Sequence, residues 1–354
     1  MPVPVYKIEP LCDHRWEDFL DSEPGASVFH TTGWLEALHR TYGYQPIVYT
    51  TSSPGTKLRN GVVFCQIESW LTGRRLVSLP FSDYCEPLVD SPDDLQLIWD
   101  ELTAEKNRGK TWRYIEVRST APLKAKSSLF HSTCEYAIHR LDLNPSLDQL
   151  FNAFHKDSTQ RKIRRAEREG LKYEDGRSES LLLSFYQLLV VTRRRLGIPP
   201  QPLQWFRYLI ASLGEALRIR VAFKESRPIA AILTLRRNGA LVYKYGCSNA
   251  NFHNLGGMHL LLWRSIQEAK EAGLNVFDFG RSDCNNEGLI RFKGRWGARR
   301  SAATYSRYTT SAHSPDSYRP SEAHWSLQIV KHACTHAPRR LLSMAGGILY
   351  KHVG

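Results

Sequence analysis

The sequence predicts a mixed α/β (α+β) fold built as two tandem units, each a mostly antiparallel mixed sheet flanked by helices. Three observations carry this expectation. Runs rich in Val, Ile, Phe and Tyr recur through both halves at strand length. Helical stretches with recognisable start or stop signals separate the third run from the fourth in each half. The order of three strands, a helix and a further strand occurs twice, and a helix crossover requires the fourth strand to run parallel to the third.

In the first half a helix is expected at Thr32–Tyr42, then strands at Gln45–Thr51, Gly61–Trp70 and Arg74–Pro80, the last after a Thr72-Gly73 turn. Asp93–Lys106 reads as a helix opened by Ser91-Pro92, a cap followed by proline at the first turn. Trp112–Arg118 and Cys134–Leu143 alternate as strands. The second half expects helices at Leu181–Leu196 and Leu203–Ser212 before three strands, Leu217–Phe223, Ile229–Arg236 and Leu241–Cys247. Ser226-Arg227-Pro228 and the stronger hairpin signal Asn238-Gly239 separate these strands. A helix Met258–Ala272 stopped by Gly273, a strand Asn275–Phe279 and a strand Ala302–Tyr308 complete the set. The expected divisions are 1–144, 145–309, and a linker and helical tail over 310–354.

The chain has 354 residues, enough for two domains with cores of their own, and its composition is globular at 42% hydrophobic and 23% charged. No apolar run of about 18 residues is present, so no membrane span is expected, and the acidic N-terminus reads as no secretory signal. A cytoplasmic protein is expected. Seven cysteines without C-x-x-C, and thirteen histidines without H-E-x-x-H, point away from a disulfide framework and from a metal site. The 48 Lys and Arg against 35 Asp and Glu leave +13, clustered at 156–168, 193–195 and 291–300. That balance favours an anionic partner: nucleic acid, a phosphorylated small molecule or a negatively charged membrane face.

Six segments occur together: LPFSDYCEPL at 79–88, STQRKIRRAEREGL at 158–171, LGIPPQPLQWF at 196–206, VYKYGCSN at 242–249, VFDFGRSD at 276–283 and GLIRFKGRWGA at 288–298. In their order and spacing the chain resembles the FemAB-related branch of the GNAT acyltransferase superfamily, whose Fem peptidyltransferases join two such units. The resemblance implies acyl transfer from an activated carrier to an amine, with acyl-CoA or aminoacyl-tRNA as co-substrate and no tightly bound cofactor. The helical arm by which Fem enzymes are thought to meet tRNA has no counterpart. The expected reaction is therefore transfer of an acetyl-type group to an amine of a sugar or peptide acceptor in cell-envelope or exopolysaccharide synthesis. Fem-like aminoacyl transfer from tRNA is the alternative, and a non-catalytic module binding nucleic acid or a partner is a third reading.

By that resemblance Lys293, with Phe292 screening it, corresponds to a cation of the transfer site; a surface lysine in a basic loop is the structural alternative. Asp278, at the end of a parallel strand, either accepts the amine's proton, orients Arg281, or is a buried partner for an arginine. Asn254, Gly256 and Gly257 stand where GNAT enzymes cradle the donor's diphosphate at a helix start, with Tyr245 and Arg281 as further donor contacts; close packing of a helix on the sheet is the other explanation for the glycines. Ser82, Asp83 and Tyr84, with Arg164, are the expected acceptor contacts, the first three on a Pro80 turn that equally closes a strand. No nucleophile beside a base is legible: Cys85 and Cys284 have no His at a telling distance in sequence. Direct transfer without a covalent intermediate follows. The tail, a basic pair Arg339-Arg340 before LLSMAGGILY, has the makeup of an interfacial segment for an acceptor on a lipid carrier, or else folds back to complete a core.

Overall fold

The β-branched and aromatic runs form strands where their alternation places them, in a computed structural model that describes residues 4–108, 112–121, 130–309 and 338–353. The described residues within 1–136, 302–309 and 348–353 form one compact unit, and those within 137–301 and 338–347 form the other.

The first unit opens with β1 (Tyr6–Ile8), α1 (Arg15–Ser22) and α2 (Thr32–Tyr42), then β2 (Gln45–Thr50), β3 (Val62–Ile67) and β4 (Arg74–Val77), α3 (Pro92–Asn107) and β5 (Trp112–Ser119). Thr31 caps α2, and Gly43 ends it in the left-handed region. Ser91 accepts the Asp94 N–H, with Pro92 at the first turn of α3, as its sequence promised. The strand order is β1-β2-β3-β4-β5. β2, β3 and β4 pair antiparallel and β4 pairs parallel with β5. α3 covers one face, burying Trp99, Ile98 and Leu102 against Tyr49, Phe64, Leu76 and Ile115.

β6 (Phe130–Asp142) passes from the first unit into the second, where α4 (Leu147–Ala153), a π turn at Lys156–Gln160 and α5 (Arg161–Arg168) follow. Then come β7 (Lys172–Gly176), α6 (Glu179–Leu196), α7 (Leu203–Leu213), β8 (Leu217–Lys224), β9 (Arg227–Arg237), β10 (Ala240–Ser248), α8 (Gly257–Glu271), β11 (Val276–Asp283) and α9 (Glu287–Gly294). β12 (Arg299–Tyr308) returns to the first unit and pairs antiparallel with β5 over Thr304–Tyr308, and α10 (Arg339–Val353) ends the described chain. In the second unit the order is β11-β10-β9-β8-β7, antiparallel except β10 with β11. The repeated meander, helix and parallel strand thus form in both halves. Asn238 and Gly239 both have positive φ, the pair a two-residue hairpin needs.

Three expectations shift. Arg227 and Pro228 are strand rather than turn; Glu225 (φ 55°) turns the chain, and the register slips where Pro228, without an N–H, faces Phe223. β7, a polar edge strand, carries no alternation to announce it. α9 forms across a stretch read as basic loop, because Asn286 caps it by accepting the Leu289 N–H. The linker expected from 310 and the apolar stretch Ala323–Cys334 lie outside the described residues.

Candidate functional site

β10 and β11 pair only over Ala240↔Val276, Leu241↔Phe277 and Val242↔Asp278, although both run on for several residues. Beyond Val242 the chain of β10 bulges between Tyr243 and Tyr245 while keeping its bonds to β9. The two parallel strands therefore part at their carboxyl ends, the place where open α/β sheets hold ligands. Gly246 makes the local packing possible: a Cβ there would fall 1.7 Å from the Tyr243 hydroxyl. Tyr245 turns away, its ring among Phe185 and Phe206 and its hydroxyl accepting the Trp205 indole N–H at 3.1 Å.

Lys293 lies beside this wedge and is 2% exposed. Its Nζ donates to the carbonyls of Gly280 (2.8 Å) and Arg281 (2.9 Å), so the surface-loop alternative is ruled out for its position. Asp278 explains why those carbonyls point there. It accepts the Gly280 N–H at 2.7 Å and the Arg140 Nε–H at 3.0 Å, holding Gly280 at φ 66°. Phe292 packs on His259 and Trp296. Asp278, Arg281, Phe292 and Lys293 are thus brought together.

A residue not singled out from the sequence joins them. His139 on β6 is buried, and its Nδ1 meets no hydrogen-bond partner among the described residues. Leu143 N–H to Asn275 C=O (2.9 Å) and Arg140 to Asp278 align β6 antiparallel to β11, which sets His139 level with Phe279, next to the carbonyls that hold Lys293. Burial first, then the charges of Lys293 and Arg300, depress its pKa to about 4, so the ring is neutral at pH 7. The sequence carried no clear signal for it, since Ala137, Ile138 and His139 are buried in succession and no alternation marks an inward face.

At the head of α8, Gly256 (φ 81°) is a packing requirement, since a Cβ would sit 2.3 Å from the Lys162 carbonyl of α5. Gly257 likewise rests on Ile229 and Ala230. No side chain caps α8, and Asn254 is exposed just before it. Lys162 Nζ donates to the His253 carbonyl (3.1 Å), and His253 Nε2 meets Ser248 Oγ (2.8 Å) and Arg195 Nη1 (3.4 Å). Burial, then Arg195 and Lys162, hold the His253 pKa below its ordinary value. An uncapped helix start rimmed by two cations is an electrostatic seat for an anion. Arg164 is exposed on α5 with its guanidinium over the Phe151 ring.

In the first unit the corresponding gap is closed. Ser78 N–H donates to Glu116 C=O (2.8 Å) and Cys85 N–H to Arg118 C=O (2.7 Å), so residues 78–85 fill the space beside β5. Leu79 and Phe81 take positive φ within this loop, a strain that Arg118 offsets by donating to the Leu79 carbonyl (2.9 Å). Ser82, Asp83 and Tyr84 are buried, Ser82 Oγ donating to Leu79 C=O (2.7 Å) and Tyr84 standing edge-on to Phe29. Cys85 does have a histidine at hand: His30 Nε2 is 3.3 Å from its sulfur. Burial pushes that thiol well up, so no thiolate forms and the pair is not a nucleophile. Beneath the loop, burial raises the Glu116 carboxyl, yet the Arg118 and Arg307 guanidiniums outweigh it and hold the pKa below the usual range.

A cavity of about 380 Å³ opens elsewhere, at the amino ends of β10 and β11. Arg220 pairs there with Glu268 (2.7 Å) and Arg218 with Asp175 (2.8 Å), and the cavity is remote from the wedge. Among the described residues no three His, Cys, Asp or Glu side chains gather as metal ligands.

Comparison with known proteins bears on the fold. An acetyltransferase (GNAT) domain model matches residues 153–294. The UDP-N-acetylmuramoylpentapeptide-lysine N(6)-alanyltransferase of Weissella viridescens is 22% identical over 320 residues, covering 82% of this chain and 91% of that protein. The crystal structure of FemX superposes with a TM-score of 0.67 at 15% identity, over 86% of this chain and 97% of that one. A tandem GNAT protein from the clavulanic acid pathway superposes at 0.52 and 10% identity, over 87% and 98%.

Proposed function

We propose that this GNAT-fold N-acyltransferase, FemAB-related in kind, moves an aminoacyl group from the ester of an aminoacyl-tRNA to a side-chain amine of a peptidoglycan-precursor peptide. The observation that carries the donor assignment is the contact of Gly256 with the Lys162 carbonyl. An acyl-CoA cradle would use that glycine to admit a diphosphate, whereas here it admits a neighbouring helix. What stays open to solvent at the head of α8 is a cationic rim, Lys162 and Arg195, suited to a large polyanion approaching from outside. The named activity of the Weissella viridescens relative, alanyl transfer to the lysine of a UDP-N-acetylmuramoyl-pentapeptide, supports the aminoacyl group and the acceptor class. The acetyl-type donor expected where the arm is missing gives way to this reading, and of the expected sugar or peptide acceptors the peptide is kept.

The amine nitrogen attacks the ester carbonyl, the new C–N bond forms, and the C–O bond to the ribose breaks. The leaving ribose oxygen ends with the proton that the amine gives up. In this reading the Lys293 ammonium, fixed by two carbonyls, faces the negative charge that grows on the carbonyl oxygen. The uncapped α8 start keeps acyl-CoA as a second reading. Incubation of the protein with UDP-N-acetylmuramoyl-pentapeptide and either alanyl-tRNA or acetyl-CoA separates the two by product mass. Gain of one alanyl residue is expected; acetylation alone would transfer the assignment to acyl-CoA, and an unchanged pentapeptide with both donors would refute the acceptor.

A further inference from the structure

Trp70 stands 84% exposed at the tip of the turn between β3 and β4, with Leu71 beside it at 55%. A tryptophan is an unusual residue to leave in water. This one is held there by its neighbours. Leu71 and Thr72 N–H both donate to Ser69 Oγ (3.2 and 2.9 Å), and Ser69 Oγ meets His352 Nδ1 at 3.0 Å. Thr72 Oγ1 and Arg75 Nη2 both donate to the His352 carbonyl (2.8 and 2.7 Å), and the Trp70 ring stands edge-on to the His352 ring. The turn is clipped to the last turn of α10. Ile348 and His352 stand at helical i, i+4 spacing, so the same face of α10 that meets Trp70 carries Ile348. Ile348 is 68% exposed, with Leu349 adjoining.

Cations flank this apolar surface. Lys351 is exposed at the end of α10, Arg113 is exposed beside Gly73, and Arg74 follows the turn with Glu68 as its ion-pair partner. We propose that the patch docks the protein on an anionic lipid bilayer, with Trp70, Leu71 and Ile348 entering the headgroup layer and Arg74, Arg113 and Lys351 facing lipid phosphates. Tryptophan is favoured at that boundary, where its ring is half-dry and its N–H wet. The described helices include none long and apolar enough to cross a membrane, so α10 lies along the surface. A second copy of the chain is a poorer occupant, because a two-fold contact would set the same cations against each other.

The inference is independent of the donor and acceptor proposed above, since its test needs no acyl transfer. The full chain is sedimented with vesicles of phosphatidylcholine and phosphatidylglycerol, and with vesicles of phosphatidylcholine alone. Binding is expected to the anionic vesicles, weakening as salt is raised. The double substitution Trp70→Ser with Ile348→Ser should reduce it by about tenfold or more, because the lost apolar area is most of what enters the headgroups. Both side chains are exposed, so the melting temperature should hold, and it is measured alongside. Intact protein left in the supernatant with both vesicles would overturn the proposal, as would equal binding by the double variant. Self-association without lipid that the same substitutions abolish would reassign the patch to a second copy and overturn it too.

Discussion

Asp278 shapes the wedge through the backbone it holds. By taking the Gly280 N–H it turns the strand, and the turn sends two carbonyls to Lys293. Lys293→Met should therefore lower turnover by about 10²-fold or more, the scale of a lost oxyanion donor. It should also cost about 1–3 kcal/mol in denaturant stability, since two buried carbonyls lose their donor; rates are best compared where both proteins are folded. His139 gives a second test. Its folded pKa, about 4, lies below the ordinary imidazole value. Between pH 6.5 and 4 the unfolded chain binds the proton first, so stability falls as pH falls through that window. His259, depressed to about 4 by burial and then by Lys162 and His253, acts in the same direction. His139→Phe should flatten part of the decline of melting temperature across this range, with His259 left to supply the rest. Neither the His139 environment nor the His30–Cys85 pair was legible in sequence, because each is made by residues that meet only after distant strands align.

Elements announced by two signals at once were read well. α2, α3 and α8 combine apolar periodicity with a start or stop residue, and β9 and β10 combine buried runs with the Asn238-Gly239 hairpin signal. β7 and α9 carried one weak signal or none, and only tertiary contact fixes them. The glycines of α8 were ambiguous for a physical reason: a glycine that admits a phosphate and one that admits a helix look alike until the neighbour is in place. Gly256→Ala tests the second role directly. The added methyl would strike main chain at a left-handed position, and about 1–3 kcal/mol of destabilisation is expected by urea titration. The Glu116 network makes a separate prediction. A carboxyl held below its usual range loses its stabilising charge as pH drops through the folded value. Glu116→Gln should weaken the acid sensitivity of the first unit while lowering its stability at neutral pH, as followed by circular dichroism.

For the molecule as a whole, the sequence told of two similar halves and an anion-seeking charge, and the structure supplies the difference between the halves. One has parted strands with a buried cation beside them; the other has its gap filled by residues 78–85. The sequence hinted at a difference, a Pro80 turn in one half against Gly256-Gly257 in the other, but not that the first loop turns back to bond β5. The end of the chain is tied down as well. Leu342 is buried with Val190 and Tyr186, Tyr44 donates to the Tyr350 carbonyl (2.8 Å), and His352 is held as described. Removing 338–354 should lower the melting temperature by several degrees, since about 1 kcal/mol moves it by roughly 2–4 °C at such sizes. The first unit is also discontinuous: β5 completes its pairing with β12, about 180 residues later in the chain, and the α10 contacts come later still. On a ribosome β5 must therefore wait, with that edge unpaired, until Arg299–Tyr308 has been made. A message broken just before β12 would release a chain with the whole β6–α9 stretch present and the β5 edge still open, a natural target for chaperones and proteases.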